Sequence, residues 1–292
     1  MRTILILCLV APIAGCAPGS PDGGDGLIVA TTTILGDITR EVAGDEAAVE
    51  VLMPRGADPH EFEASAQQVA LLHDADLVVA NGLGLEETLG DALEAVREDE
   101  ENLFEVAPRL DPLPLEGGGL DPHVWMDPNR VARAAELIAA RLQEVRPGGW
   151  AARAGTYASE LARLDDEIRE LLAPISQEDR ELVTNHDAFG YLADRYDLEI
   201  VGVVIPGGST LGEPSAEALA ALAEIIRERD VPAIFTETIH STGLAEVLAD
   251  EVGRPVEIVS LYSDSLGEPG SEAATYLGLM RANASRIAGA LS

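Results

Sequence analysis

Apolar runs of strand length and of helix length alternate along this chain, and one long helical run cuts the alternation in two. Strands that alternate with helices pair in parallel and carry helices on their faces, so the pattern leaves few other folds open. In the first half the strand candidates are residues 27–30, 49–53, 77–80 and 103–106. Helical spacing fills 34–42, 65–73 and 86–96, and the Pro- and Gly-rich stretch 108–119 reads as a loop. A helix follows over 131–145, with Pro128 at its start and Pro147-Gly148-Gly149 after it. The dividing helix covers 150–172, with Leu161, Leu164, Ile168, Leu171 and Leu172 on one face, and ends before Pro174. The second half then offers strands at 182–184, 200–205, 233–236 and 256–261, and helices at 188–196, 215–229, 244–252 and 273–291. The expected fold is α/β, with two lobes, each a parallel four-stranded sheet flanked by helices, joined by one long helix. The expected boundaries are 27–147 for the first lobe, 148–174 for the linking helix and 175–292 for the second lobe.

Residues 1–16 read as an address label. One Arg, a short apolar core and Ile13-Ala14-Gly15-Cys16 form a secretory signal peptide whose core is too short to span a bilayer. Ile-Ala-Gly-Cys resembles the lipobox of bacterial lipoproteins, which implies a lipidated Cys16 at the mature N-terminus. Cys8 lies inside the signal, so beyond Cys16 no cysteine remains for a disulfide. Residues 17–26 are Pro, Gly, Ser and Asp with one Ala, and suit a flexible tether. The expected location is outside the cytoplasm, held to the outer face of the cell membrane or in the periplasm.

The formal charge of −33 comes from 52 acidic residues against 19 basic ones, all of them Arg. Such a surface repels phosphates, which argues against a nucleic-acid partner. It mildly concentrates cations, although a composition rich in Arg, Ala and acids is also a plain proteome bias.

Chemistry concentrates around histidine. Two of the five, His60 and His123, sit in the same tripeptide, Asp58-Pro59-His60 and Asp121-Pro122-His123. His186 follows a strand candidate, and so does Asp264 in Leu261-Tyr262-Ser263-Asp264-Ser265. The carboxyl ends of strands are where open α/β sheets place ligands. Three imidazoles and a carboxylate suit zinc, accommodate manganese, and suit calcium or magnesium poorly. His73 within a helix and His240 on a polar loop read as ordinary surface or supporting residues. Metal-bound imidazoles donate their other N–H to an acceptor, for which Asp58, Asp121, Asp187 and above all Glu237 at a strand end are candidates.

The strings around these residues are Gly56-Ala57-Asp58-Pro59-His60-Glu61-Phe62, Asp121-Pro122-His123-Val124-Trp125-Met126-Asp127-Pro128 and Asn185-His186-Asp187-Ala188-Phe189-Gly190-Tyr191. Together with Tyr262-Ser263-Asp264-Ser265-Leu266 they resemble the zinc/manganese solute-binding proteins of ABC importers, from about residue 27 to the end. The resemblance implies a metal held between two lobes, with His60 and His123 from the first and His186 and Asp264 from the second. It also implies delivery by a single chain to a membrane permease with its ATPase. Members with a carboxylate at the third ligand look manganese-oriented, so His186 favours zinc over the alternative, manganese. The chain departs from many zinc members in its short loop between Leu110 and Leu120, which has no His-rich tract, and from some in having no disulfide.

Two other classes compete. A secreted zinc hydrolase would need an open coordination position, but the chain has neither a His-Glu-x-x-His helix nor an evident base beside the candidate ligands. A metal-stabilised adhesin would unfold when its metal is removed.

Overall fold

The computed structural model describes residues 26–100, 102–115 and 118–292. The signal peptide, Cys16 and nearly all of the tether lie outside the described residues.

The first half runs β1 (Leu27–Ala30), α1 (Thr33–Ala43), β2 (Ala48–Val51), α2 (Ala66–Asp74), β3 (Leu77–Ala80), α3 (Gly90–Glu100), β4 (Leu103–Glu105) and α4 (Pro128–Val145). After α5 (Trp150–Leu172) come β5 (Glu181–His186), α6 (Gly190–Tyr196), β6 (Glu199–Ile205), α7 (Ala216–Glu228), β7 (Ala233–Glu237), α8 (Gly243–Val252), β8 (Glu257–Leu261) and α9 (Tyr276–Ala290). The strands form two parallel four-stranded sheets, ordered β2-β1-β3-β4 and β6-β5-β7-β8. Both halves thus have the same order, with a reversal of winding between their two central strands.

Local chemistry explains the elements. β3, Leu-Val-Val-Ala, is buried at every residue, as a central strand covered on both faces must be. β2, at the edge, alternates between exposed and half-buried residues. Thr32 caps α1 by accepting the Leu35 amide, and Ser65 with Gln68 forms a capping box on α2. Asp127 caps α4, whose first residue is Pro128.

Alternation along the strands divides the core. Ile28, Ala30, Leu77 and Val79 point to one side, where they join Leu182, Ala233 and Phe235 of the second sheet. Leu161, Leu164, Ile168 and Leu172 of α5 lie in that same continuous core. Val29 and Val78 face the opposite way and pack with Leu72 and Leu93. In the second half Val183 and Ile234 pack with Leu222, Ile226 and Leu248. α5 also packs against α1, α4 and α9, so it is built into both halves. A core shared in this way resists wide separation of the two sheets.

Several boundaries differ from the sequence expectation. β5 continues to His186, beyond Thr184, because Asn185 and His186 are buried strand residues despite their polarity. α3 begins at Gly90, four residues after Glu86, whose buried carboxylate is occupied with backbone amides. α9 begins at Tyr276, where Thr275 caps it, and 273–275 precede the helix.

Candidate metal centre

Both Asp-Pro-His tripeptides fold alike. Asp58 Oδ1 accepts the His60 amide at 2.9 Å, and Asp121 Oδ1 accepts the His123 amide at 2.9 Å. Each Asp thereby closes a small side-chain turn that aims the following imidazole. The His60 loop follows β2, and the His123 turn leads into α4. His186 is the last residue of β5, and Asp264 lies just past the end of β8.

These four side chains converge. One donor atom from each of His60, His123, His186 and Asp264 lies within 4.8 Å of the other three. All are buried, the three histidines completely. His123 Nε2 and His186 Nε2 are 3.2 Å apart, and they stand 3.8 and 3.7 Å from Asp264 oxygens. Donors at about 2.1 Å from a tetrahedral ion are roughly 3.4 Å apart, so these spacings are close to those of a shared ion. Neither Asp264 oxygen receives a hydrogen bond within the described residues, nor does either His60 ring nitrogen make one. A buried carboxylate without donors is costly unless a cation compensates it.

The outward-facing nitrogens are paired with acids. His186 Nδ1 donates to Glu237 Oε1 at 2.7 Å, and His123 Nδ1 donates to Asp121 Oδ1 at 2.7 Å. His60 Nδ1 faces Glu87 at 3.4 Å. Glu237, the last residue of β7, also accepts from Asn185 Nδ2 at 3.1 Å and from the Ser263 hydroxyl. In the neutral imidazole, tying Nδ1 to an acid leaves the Nε2 lone pair to face the cluster, the arrangement a metal-binding imidazole adopts.

Electrostatics sets the protonation. Burial, helped by the neighbouring imidazoles His123 and His186, lowers His60 to about 2, so it stays neutral. Burial also opposes charge on His186, but Glu237 and Asp264 outweigh it and hold the imidazole up at about 9. Burial would raise Glu237, yet His186 prevails and brings it to about 2. Asp264 is pushed up to about 6 by burial, against the pull of His186 and His123.

The other residues singled out from sequence lie as follows. Asp58 bonds the His60 backbone rather than its ring, and also accepts Thr210 Oγ1 at 2.5 Å. Asp187 lines a cavity of about 450 Å³ together with Asp121, Leu115 and Gly190. His73 stays half-buried on α2. His240 stands closer than its polar loop suggested, its ring 6.4 Å from that of His186. Sequence reasoning missed Glu87 and Trp125. Glu87 follows β3 as Glu237 ends β7, but helical spacing places it inside a helix over 86–96. Trp125 stacks its edge near His123, with 5.3 Å between rings, and donates Nε1–H to the Ser263 carbonyl at 2.9 Å.

The family described as zinc-uptake complex component A, periplasmic (ZnuA), matches residues 28–290. The chain belongs to this family. ZnuA-family relatives include the zinc-binding protein TroA of Treponema pallidum, 34% identical over 94% of this chain and 92% of that protein. The manganese-binding lipoprotein MntA of Halalkalibacterium halodurans is 33% identical over 99% of this chain and 97% of its own length. A solved structure of the Treponema pallidum periplasmic zinc-binding protein TroA superposes with a TM-score of 0.87 at 33% identity, over 92% of this chain and all of that one. The family is one of binding components of uptake systems rather than enzymes. Near-equal identity to a zinc binder and a manganese binder means that overall likeness does not choose the metal.

Proposed function

We propose that this chain is the extracytoplasmic solute-binding lipoprotein of an ABC importer, which takes up a divalent transition metal and hands it to a membrane permease driven by an ATPase. The metal is its cargo, held by His60, His123, His186 and Asp264 between the lobes 27–147 and 175–292, with 148–174 joining them. The observation that carries this reading is the buried Asp264 carboxylate, without a hydrogen-bond donor among the described residues, facing three imidazoles. Four converging donors fill a tetrahedral shell and leave no open position for an activated water, which disfavours a hydrolase. Three nitrogens to one carboxylate favour zinc, the borderline ion, over manganese, which prefers oxygen.

Glu237 and Asp121 orient the imidazoles, and Cys16 carries the lipid that keeps the protein at the membrane. No described helix is long and apolar enough to cross a membrane. Metal content separates the readings. Protein recovered from cells given equal zinc and manganese is expected to carry one zinc per chain, and His123→Ala almost none. Recovery with manganese would move the reading to manganese uptake. Recovery with neither would overturn it. Cys16→Ala is expected to release the protein from the membrane fraction.

A further inference from the structure

A completely buried site raises the question of how an ion reaches it, and the contacts between the halves are uneven. The segment around Asp264 is bonded firmly to the first half. Gly56 donates its amide to Ser265 Oγ at 2.8 Å, and Leu266 donates its amide to Thr33 Oγ1 at 2.9 Å. Arg55 donates to the Gly267 and Ala274 carbonyls, and Tyr276 donates its hydroxyl to the Trp125 carbonyl at 2.7 Å. Asp121 closes another side, since it blocks His123 Nδ1 and its carbonyl accepts the Tyr191 hydroxyl at 2.7 Å.

The side formed by 206–215 and 238–244 is different. There Asp58 meets the second half through Thr210, at 2.5 Å, and through His240 Nε2, at 3.5 Å. A cavity of about 200 Å³ lies behind these residues, lined by Glu61, Asn185, Thr210, His240 and Leu244 among others. His240 joins the cavity to the candidate ligands, since it lines the cavity and its ring lies 6.4 Å from that of His186. About 10–15 Å³ of such space holds one water, so the cavity has room for a hydrated ion.

His240 Nε2 is buried and makes no hydrogen bond within the described residues. Its distance from Asp58 Oδ2 matches the roughly 3.4 Å between two donors on one tetrahedral ion.

We propose that His240 and Asp58 form a transient divalent-metal site at the edge of this cavity, through which the ion passes to and from the four buried ligands. The inference rests on the metal-binding reading above. The ion sheds water onto an imidazole and a carboxylate while Glu61 supplies further negative charge. It then moves inward as the Thr210–Asp58 contact closes behind it.

A stepping site lowers the barrier in both directions, so its loss slows loading and release together. Stopped-flow zinc association and chelator-driven dissociation on the mature protein test this. Both rates are expected to fall about tenfold in His240→Ala and in His240→Gln, with the dissociation constant within about threefold of the unaltered protein. Gln retains polarity and size but is a poor zinc ligand, so recovery of wild-type rates in His240→Gln would reduce His240 to a positioning residue and overturn the proposal. Unchanged rates, or weaker affinity arising from faster release alone, would overturn it too. Thr210→Val is expected to shift the rates the other way, about fivefold faster dissociation, by removing the closing contact. Circular dichroism confirms folding of each variant. If the unaltered protein takes up no zinc, the parent reading fails before any variant is compared.

Discussion

The two sheets share one strand order and use it differently. In each, the winding reverses between the two central strands, where open α/β sheets form a crevice at their carboxyl ends. In the second sheet that crevice presents His186 from β5 and Glu237 from β7, and it faces the metal cluster. In the first sheet it is filled by the chain itself. The buried Glu86 carboxylate accepts Thr31 Oγ1 at 2.7 Å, the Asn81 amide at 2.7 Å and the Gly82 amide at 3.1 Å. The first half therefore sends its ligands from elsewhere, His60 from the loop after β2 and His123 from the segment between β4 and α4. One topology thus yields a structural plug in one half and a ligand site in the other, depending on whether the residues at the crevice satisfy each other or leave donors facing the cleft.

The sharpest test of that contrast removes a ligand at the open crevice. Four-ligand structural zinc sites in small peptides bind with about 10–16 kcal/mol, so on that scale one of four ligands is worth about 3 kcal/mol, or 100- to 1,000-fold in affinity. His186→Ala is expected to lose that much by calorimetry and still fold. A loss of only a few-fold would remove the second crevice from the site.

Acidity comes next. With His186 held at about 9 in the metal-free protein, zinc must displace a proton at pH 7. Apparent affinity is expected to fall about tenfold per unit of pH below 9, and about one proton should be released per zinc in buffers of different ionisation enthalpy. For the metal-free fold the sign is the reverse. The raised value makes the protonated imidazole stabilising below its ordinary 6.5, and that contribution is lost as pH rises through about 9. Affinity independent of pH between 6 and 8 would contradict the protonation described.

Glu237→Gln weakens the hold on His186 and is expected to cost about 10- to 100-fold in affinity, with little change in unfolding midpoint. Glu86→Ala, its counterpart at the plugged crevice, should do the opposite. It leaves three buried donors unpaired, at a cost of about 3 kcal/mol in denaturant unfolding, while affinity changes less than about tenfold. Equal effects of the two substitutions on affinity would break the comparison.

Much of this was legible in the sequence because apolar runs report burial directly. The alternation revealed eight strands, their parallel pairing and the long α5. Its limits are just as physical. β5 reaches His186 because the buried Asn185 and His186 side chains both donate to Glu237, and a pattern of apolar residues does not record polar residues buried that way. Helical spacing places Glu86 and Glu87 at the start of a helix over 86–96 for the same reason. The repeated Asp-Pro-His strings marked His60 and His123, since the Asp that closes each turn is local. The convergence of His186 and Asp264 on them depends on strand order, which no local pattern contains. Glu237 was legible as a strand-end acid. His240 was not, because its place beside Asp58 follows only from the packing of the two halves.

The most direct test is a competitive calorimetric titration of the metal-free mature protein with zinc and manganese, with circular dichroism of both states. One tight zinc site per chain, retained against manganese, on a protein already folded without metal, is the predicted result. Binding of neither ion, or a fold that collapses when metal is removed, would contradict the account.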